Sequence, residues 1–224
     1  MVRPRRLTDS PRRGRRIGRR VAVIVEGRTE FEAFRRLYGR VPGCPFLDLA
    51  SRSQCDLGGV GDKATPDVIA DKVARRAVML APENDKIIVC IDREARQEEA
   101  SEFAASLLEA LRSKLAALTS PLGIPIDVVV ADRAFEAWIL ADIQGICRLK
   151  HMRPPRNRCY EGHHEGEADF GARLLKRILG RYEKATDGPD LFALVELSRA
   201  RLVPSAGRAW GSASLNLFLE ALGL

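Results

Sequence analysis

The alternation of short β-branched runs with longer helical segments constrains the fold more than any other feature. Apolar runs at 21–25, 46–50, 86–91 and 126–130 have the length and composition of strands. Segments with helical spacing follow them at 31–38, 67–80, 97–118 and 135–142. A regular strand-helix order is typical of a parallel sheet covered by helices. The sequence therefore predicts an α/β fold with a mostly parallel, four-stranded sheet flanked by helices.

The pattern changes after Asp142. Residues 147–168 are rich in Pro, Arg, His and Gly and predict a long loop. Helical periodicity of apolar residues returns at 169–180, 190–202 and 212–222. We therefore divide the chain into a tail at 1–18, an α/β core at 19–145, and a loop with helical C-terminal part at 146–224 that packs on the core.

The net charge of +7 comes from the N-terminus. Residues 1–20 contain nine arginines and one acid, whereas the remaining residues contain 28 basic and 29 acidic side chains. An Arg/Pro/Gly/Ser tail buries no apolar surface, so we expect residues 1–18 to be disordered. Two interpretations remain open: an arm that holds the phosphates of DNA or RNA, or a segment without a binding role, either a solubilising extension or the product of an upstream start codon.

Several classes of protein are disfavoured. No run approaches the roughly 18 apolar residues of a membrane helix, and the N-terminus is too rich in arginine for a signal peptide. The five cysteines lack a Cys-x-x-Cys motif, which argues against a disulfide framework. We therefore expect a cytoplasmic protein with no membrane partner.

Acidic residues follow the first and third predicted strands. Glu26 comes directly after the first run, and Asp92 and Glu94 come directly after the third. Parallel strands bring their carboxyl ends to one edge of the sheet, and alternation along a strand would place Asp92 and Glu94 on one side, with Arg93 opposite. Clustered oxygen ligands of this kind suit Mg²⁺ or Mn²⁺. A lone acid at a strand end is otherwise often a turn or helix-cap residue.

These motifs resemble those of the TOPRIM domain of topoisomerases, bacterial primases and overcoming-lysogenization-defect (OLD) nucleases. The matching segments are Val-Ile-Val-Glu-Gly-Arg-Thr-Glu at 23–30 and Ile-Ile-Val-Cys-Ile-Asp-Arg-Glu at 87–94. The segment Phe-Glu-Ala-Trp-Ile-Leu-Ala-Asp at 135–142 resembles a segment of small stand-alone TOPRIM-like proteins. Those proteins are found near ATPases in phage-defence loci. The resemblance implies a TOPRIM-like, Rossmann-like fold. The wider family has Asp where this chain has Glu94.

The resemblance also implies metal-dependent phosphodiester chemistry. In that reading Asp92 and Glu94 hold Mg²⁺, and Glu26 is a ligand or the general base for water. Glu30 lies one helical turn beyond Glu26 and either completes a second metal site or faces solvent in the first turn of a helix. Glu136 is either a further ligand or a buried acid bonded to an arginine such as Arg133. Lys184 is either the cation that neutralises transition-state charge or a surface lysine.

A loop at 147–164 gathers all three histidines and two cysteines. The spacing of Cys147, His151, Cys159 and His163 permits a structural Zn²⁺ site, although it is not that of a standard zinc finger. Alternatively, His163 or His164 lines the mouth of the active site and contacts phosphate.

The leading hypothesis is a Mg²⁺- or Mn²⁺-dependent nuclease that acts on DNA or RNA, with a role in phage defence. The alternative is a catalytically weak TOPRIM-like module that binds nucleic acid or a partner ATPase encoded nearby. Neither a Gly-x-x-x-x-Gly-Lys-Ser/Thr phosphate loop nor a Gly-x-Ser-x-Gly or His-Glu-x-x-His motif occurs, which disfavours ATP binding, serine hydrolysis and zinc proteolysis.

Overall fold

The computed structural model describes residues 19–37, 40–48, 55–58, 61, 63–118, 122–153, 171–200 and 211–224. The strands are β1 (Arg20–Val25), β2 (Phe46–Asp48), β3 (Lys86–Asp92) and β4 (Ile126–Ala131). The helices are α1 (Arg28–Arg35), α2 (Pro66–Leu80), α3 (Ala100–Ala116), α4 (Glu136–Leu140), α5 (Ile143–Leu149), α6 (Ala172–Leu179), α7 (Lys184–Phe192), α8 (Leu197–Ala200) and α9 (Ala213–Leu222). The tail at 1–18 lies outside these residues.

The strands form one parallel sheet in the order β2-β1-β3-β4. Three strands of six or seven residues make up its body, and β2 adds a segment of three residues at one edge. Every residue of β3 is buried, as are Val21 to Val25 of β1, because helices cover both faces of these central strands. The prediction of an α/β fold with a parallel, helix-flanked sheet is confirmed.

The strand order reverses direction between β1 and β3. The chain leaves β1 toward β2 on one side, and then crosses back to add β3 and β4 on the other side. Right-handed crossovers therefore put α1 on one face of the sheet and the packed pair α2 and α3 on the other. The two chain segments that leave β1 and β3 diverge to opposite faces and open a crevice, which is where α/β sheets commonly bind ligands.

Five aromatic rings fill the core on the α1 face. Phe34 of α1 stacks on Phe218 of α9 with ring centroids 4.8 Å apart, and Trp138 donates from Nε1 to Ser214 Oγ at 2.7 Å. Phe135 and Phe192 complete the cluster, at 5.0 Å from each other. Because α7 and α9 contribute two of the rings, the C-terminal helices belong to the same hydrophobic core as the sheet.

Some predicted boundaries are wrong. The helix predicted at 31–38 runs from Arg28 to Arg35, which places Glu30 in its first turn. The segment predicted as one helix at 190–202 contains the end of α7 and the separate helix α8. Helix α7 begins earlier than predicted because Gly188-Pro189 lies inside it and does not precede its start. Helix α5 runs through residue 145, the boundary drawn from sequence, and its Cys147 is fully buried.

No helix in the described part of the chain is both long and apolar enough to cross a lipid bilayer.

Candidate active site

Four acidic side chains and one lysine meet at the crevice between the carboxyl ends of β1 and β3. Glu26 follows β1 and Asp92 is the last residue of β3, while Glu30 and Glu136 lie in the first turns of α1 and α4. All four acids are buried, with exposed fractions between 1% for Glu136 and 7% for Glu26. Buried carboxylates are rare without a partner, so this concentration marks the site.

Lys184 lies among three of these acids. Its Nζ is 3.3 Å from Asp92 Oδ2, 3.5 Å from Glu30 Oε1 and 3.7 Å from Glu136 Oε2. The lysine side chain is 44% exposed, whereas the three carboxylates are at most 4% exposed. The ammonium group therefore covers the carboxylates from the solvent side, and Lys184 is not an isolated surface lysine.

Hydrogen bonds orient the carboxylates. Glu26 Oε2 accepts from the backbone N–H of Asp92 at 3.0 Å, and Asp92 Oδ1 accepts from the N–H of Phe135 at 2.9 Å. The Tyr182 hydroxyl donates to Glu136 Oε1 at 3.1 Å. Glu30 Oε1 differs, because it is buried and receives no hydrogen bond within the described residues. Its contact there is the ion pair with Lys184.

Burial sets the protonation behaviour of the cluster. Desolvation raises the pKa of Glu26, of Glu30 and, most strongly, of Asp92, and repulsion between the neighbouring acids adds to the increase. Burial alone would lower the pKa of Lys184, but the attraction of Asp92, Glu136 and Glu30 raises it. The lysine is thus held in its charged form, whereas burial disfavours the charged forms of Glu26, Glu30 and Asp92.

The donor atoms of the cluster have the chemistry that a divalent cation prefers, but they do not have the spacing. Four buried carboxyl groups face one ammonium group, and the Oε1 atom of Glu30 is a buried acceptor that lacks a hydrogen bond. Carboxylate oxygens are the ligands preferred by Mg²⁺ and Mn²⁺. As arranged around Lys184, no three acidic, His or Cys side chains of the described residues are spaced as ligands of one ion. Binding of a metal would require these carboxylates to come closer together and the ammonium group of Lys184 to give up its ion pairs with them.

Glu94 is close to the cluster, but for a reason other than strand alternation. Strand β3 ends at Asp92, and Glu94 lies in a turn with a left-handed φ of 55°. Its backbone N–H donates to Arg133 O, and its carbonyl accepts from Arg133 Nη1, both at 2.7 Å. The charge of Glu94 contributes to the raised pKa of Glu26. Glu94 is therefore a neighbour of Glu26. The acids that pair with Lys184 in the described part of the chain are Glu30, Asp92 and Glu136.

Arg93 faces away from the cluster. Its Nε pairs with Asp132, which follows the edge strand β4, and its Nη1 donates to the carbonyls of Arg96 and Glu98 at 3.1 Å. The side chain is 7% exposed. The sequence prediction that Arg93 lies opposite the acids agrees with this position. Arg133, the arginine that the sequence suggests as a partner of Glu136, bonds the Glu94 carbonyl, and Glu136 contacts Tyr182 and Lys184.

The zinc prediction is only partly within the described residues. Cys147 is buried on α5, where desolvation raises the pKa of its thiol, and His151 lies two residues after the end of that helix. Cys159, His163 and His164 lie outside the described residues. The zinc site therefore stays a prediction.

The sequence assigned no role to two residues near the cluster, Tyr182 and Gly188. The hydroxyl of Tyr182 bonds Glu136, and burial together with that acid raises the pKa of the phenol. Gly188 is where α7 packs on α1, and a Cβ there would lie 2.8 Å from Thr29 Cγ2 and 3.1 Å from the Tyr182 hydroxyl. The sequence around Gly188 is typical of a helix break, so its packing role had no local signal.

Gly188→Ala should separate α7 from α1 and disturb Lys184. Thr29 is β-branched and buried, so its methyl group cannot move aside easily, and overpacking costs about 1–3 kcal/mol. The better helix propensity of Ala offsets about 1 kcal/mol of this loss. The measurement is the free energy of unfolding in a double-mutant cycle with Thr29→Ser, which lacks the methyl group. In the Thr29→Ser background the cost of Gly188→Ala should be smaller, because only the 3.1 Å approach to the Tyr182 hydroxyl remains; an unchanged cost would contradict the proposed contact with Thr29.

One family model matches the chain. It is described as a domain of unknown function, DUF4276, and it matches residues 25–210. The match begins at the last residue of β1 and includes all five residues of the cluster. No curated protein and no solved structure matches the chain significantly. Because the model spans most of the sequence, the chain belongs to the DUF4276 family.

Proposed function

We propose that this protein is a Mg²⁺- or Mn²⁺-dependent nuclease that hydrolyses phosphodiester bonds in DNA or RNA. The observation that carries the proposal is the cluster of Glu26, Glu30, Asp92 and Glu136, which is buried at the crevice between β1 and β3 and is balanced by a single lysine. The order of these acids in a TOPRIM-like sequence supports the same assignment. Burial of ionised carboxylates in a crevice is energetically unfavourable unless they bind a cation.

The residues of the cluster take separate roles in this proposal. Asp92, Glu30 and Glu136 would hold the metal, with Glu94 at the margin. A bound Mg²⁺ or Mn²⁺ would polarise the phosphate and lower the pKa of an attacking water. The Oε2 atom of Glu26 accepts the Asp92 N–H, which leaves Oε1 to take a proton from that water. Lys184, at the solvent side of the cluster, contacts the non-bridging phosphate oxygens and balances their charge.

One observation favours the second candidate, a binding module without catalysis. The ammonium group of Lys184 already pairs with three carboxylates, as in a structural salt-bridge network. In that case the cluster would not bind metal, and the protein would bind nucleic acid or a partner ATPase without cutting. Metal binding separates the two candidates because only the nuclease requires the lysine to yield its partners.

The test is cleavage of supercoiled plasmid, linear duplex, single-stranded DNA and RNA in EDTA, Mg²⁺, Mn²⁺ or Ca²⁺. We expect cutting of at least one substrate in Mg²⁺ or Mn²⁺ and none in EDTA. Isothermal titration with Mn²⁺ measures metal binding separately. Metal-independent cutting that persists in Asp92→Asn would indicate a contaminating nuclease, and the absence of both metal binding and cleavage would reject the proposal.

Arg93→Ala and Glu94→Ala should have opposite effects. Removal of Arg93 leaves the partly buried Asp132 without its ion pair and should cost about 3 kcal/mol of unfolding free energy, with cleavage retained. Glu94→Ala should leave stability nearly unchanged but raise the Mn²⁺ concentration for half-maximal cleavage by about tenfold, because one anionic group leaves the site. Glu94→Asp should retain activity. Loss of cleavage in Arg93→Ala alone would contradict this arrangement.

The broader role is also a proposal. A cytoplasmic location, a function in phage defence and an ATPase partner encoded nearby all follow from the resemblance to stand-alone TOPRIM-like proteins. Co-purification with the neighbouring ATPase from the native host tests the partner directly.

A further inference from the structure

Hydrogen bonds hold one carboxylate oxygen in three acids of the cluster. Glu26 and Asp92 each accept from a backbone N–H, at 3.0 Å and 2.9 Å. Glu136 instead accepts from a side chain, because the Tyr182 hydroxyl donates to its Oε1 at 3.1 Å. Of these three hydrogen bonds, the one from Tyr182 can be removed by a substitution that leaves the backbone unchanged.

The second oxygens of Asp92 and Glu136 face the ammonium group of Lys184. The Nζ atom is 3.3 Å from Asp92 Oδ2 and 3.7 Å from Glu136 Oε2. In both acids, the oxygen that accepts the hydrogen bond is not the oxygen next to the lysine. The bond from Tyr182 therefore determines which oxygen of Glu136 faces the cation, since rotation of the carboxylate would break that bond.

Packing holds the tyrosine in this position. The side chain of Tyr182 is half-buried and packs against the hydrophobic core. A Cβ atom at Gly188 would lie 3.1 Å from the Tyr182 hydroxyl oxygen, so α7 approaches the hydroxyl closely and leaves room for it because residue 188 is a glycine. A side chain that is locked by packing can hold a functional group in a fixed geometry. Tyr182 is therefore suited to keep the carboxylate of Glu136 in one orientation.

We propose that Tyr182 is a positioning residue that orients Glu136, so that Oε2 of Glu136 faces the cation of the site. That cation is the Lys184 ammonium group in the metal-free protein and would be a divalent metal in the nuclease. The inference rests on the proposed function, because it assigns the partner of a proposed metal ligand. Tyr182 acts through Glu136 and contacts neither metal nor substrate. Partners of this kind typically change metal affinity by about 10- to 100-fold when they are removed.

The test uses Tyr182→Phe, which removes the hydroxyl and keeps the ring. Isothermal titration of the full-length protein with Mn²⁺, without nucleic acid, measures the dissociation constant, and cleavage at saturating Mn²⁺ measures kcat. The matched control is Ser214→Ala. Ser214 carries a buried hydroxyl that accepts from Trp138 Nε1 at 2.7 Å and lies outside the cluster. Thermal melting verifies that each variant is folded at the temperature of the measurements.

We expect Tyr182→Phe to raise the Mn²⁺ dissociation constant about tenfold and to change kcat at saturating Mn²⁺ by less than about threefold. Ser214→Ala should lower the melting temperature and leave the dissociation constant unchanged. A Tyr182→Phe variant with a lower melting temperature but the Mn²⁺ affinity of the wild type would show a purely structural role and would overturn the proposal. Absence of Mn²⁺ binding by the wild type would overturn it as well.

A double-mutant cycle tests whether Tyr182 acts through Glu136. In the Glu136→Gln background, Tyr182→Phe should raise the Mn²⁺ dissociation constant by less than about twofold, because the carboxylate that the hydroxyl orients is gone. Melting temperatures over a range of Mn²⁺ concentrations extend the measurement to weakly binding variants. An equal increase in both backgrounds would show that Tyr182 acts elsewhere, which contradicts the proposal.

Failure of the nuclease proposal has a different signature. A protein that binds Mn²⁺ with an affinity that depends on Tyr182, but never cuts nucleic acid, would refute catalysis and retain the positioning role. Conversely, metal-dependent cleavage by the wild type together with unchanged Mn²⁺ affinity in Tyr182→Phe would refute the positioning role and retain catalysis.

Discussion

Asp92→Asn should abolish metal-dependent cleavage and raise the melting temperature of the metal-free protein. Loss of a carboxylate that lies between Glu30, Glu136 and Lys184 should reduce the rate on the order of 1,000-fold, because a metal supplies several kcal/mol of transition-state stabilisation. The melting temperature should increase because one buried acid, disfavoured by burial and by its acidic neighbours, becomes neutral. Glu26→Gln should behave in the same way.

The control for this prediction is Asp142→Asn. Asp142 is also a buried acid, but it lies outside the cluster and its Oδ2 accepts from the backbone N–H of Glu196 at 2.8 Å. This variant should retain cleavage and should not gain stability. If Asp92→Asn cuts as fast as the wild type, the cluster is not the active site.

The same acids predict how stability depends on pH. Because the folded-state pKa values of Asp92, Glu26 and Glu30 are raised, these groups contribute stability at low pH. That stability is lost as pH rises from the ordinary values, 3.8 for Asp92 and 4.5 for the glutamates, through the raised pKa values. These groups should therefore lower the melting temperature of the metal-free protein as pH rises across this range. The decrease should be smaller in Asp92→Asn. Saturating Mn²⁺ should reverse the decrease.

Lys184→Met should lower cleavage by about 100-fold and yet strengthen metal binding. Met has a similar length but no charge, so the phosphate loses a cation that stabilises its transition state. The metal no longer competes with an ammonium group for Glu30, Asp92 and Glu136, and its dissociation constant should fall. Without metal, the variant should melt at a lower temperature, since the carboxylates have lost their counter-charge. Calorimetric titration with Mn²⁺, thermal melting and cleavage rates measure the three effects.

Lys184→Arg is the matched control because it retains the positive charge. It should preserve the metal-free melting temperature and show weaker metal binding than Lys184→Met. Wild-type cleavage and unchanged metal affinity in Lys184→Met would exclude the lysine from the site.

Local sequence was sufficient for the sheet and for the acids attached to its strands. The β-branched runs at β1 and β3 predicted buried strands, and Glu26 and Asp92 could be assigned to one edge because parallel strands end together. Glu30 was a possible ligand from helical spacing, but its burial was not predicted, since a solvent-facing acid has the same local sequence.

Tertiary structure decided the remainder of the site. Glu94 is in the left-handed region and not on the face of a strand, because β3 ends at Asp92 and the turn bonds Arg133 from a different loop. Lys184 and Tyr182 reach acids that are 92 and 46 residues distant in sequence. Such contacts depend on how α7 packs on α1 at Gly188. The periodicity of apolar residues in a strand or helix reflects residues that are close in sequence. Burial and ion pairing depend on residues that are distant in sequence and that only folding brings together.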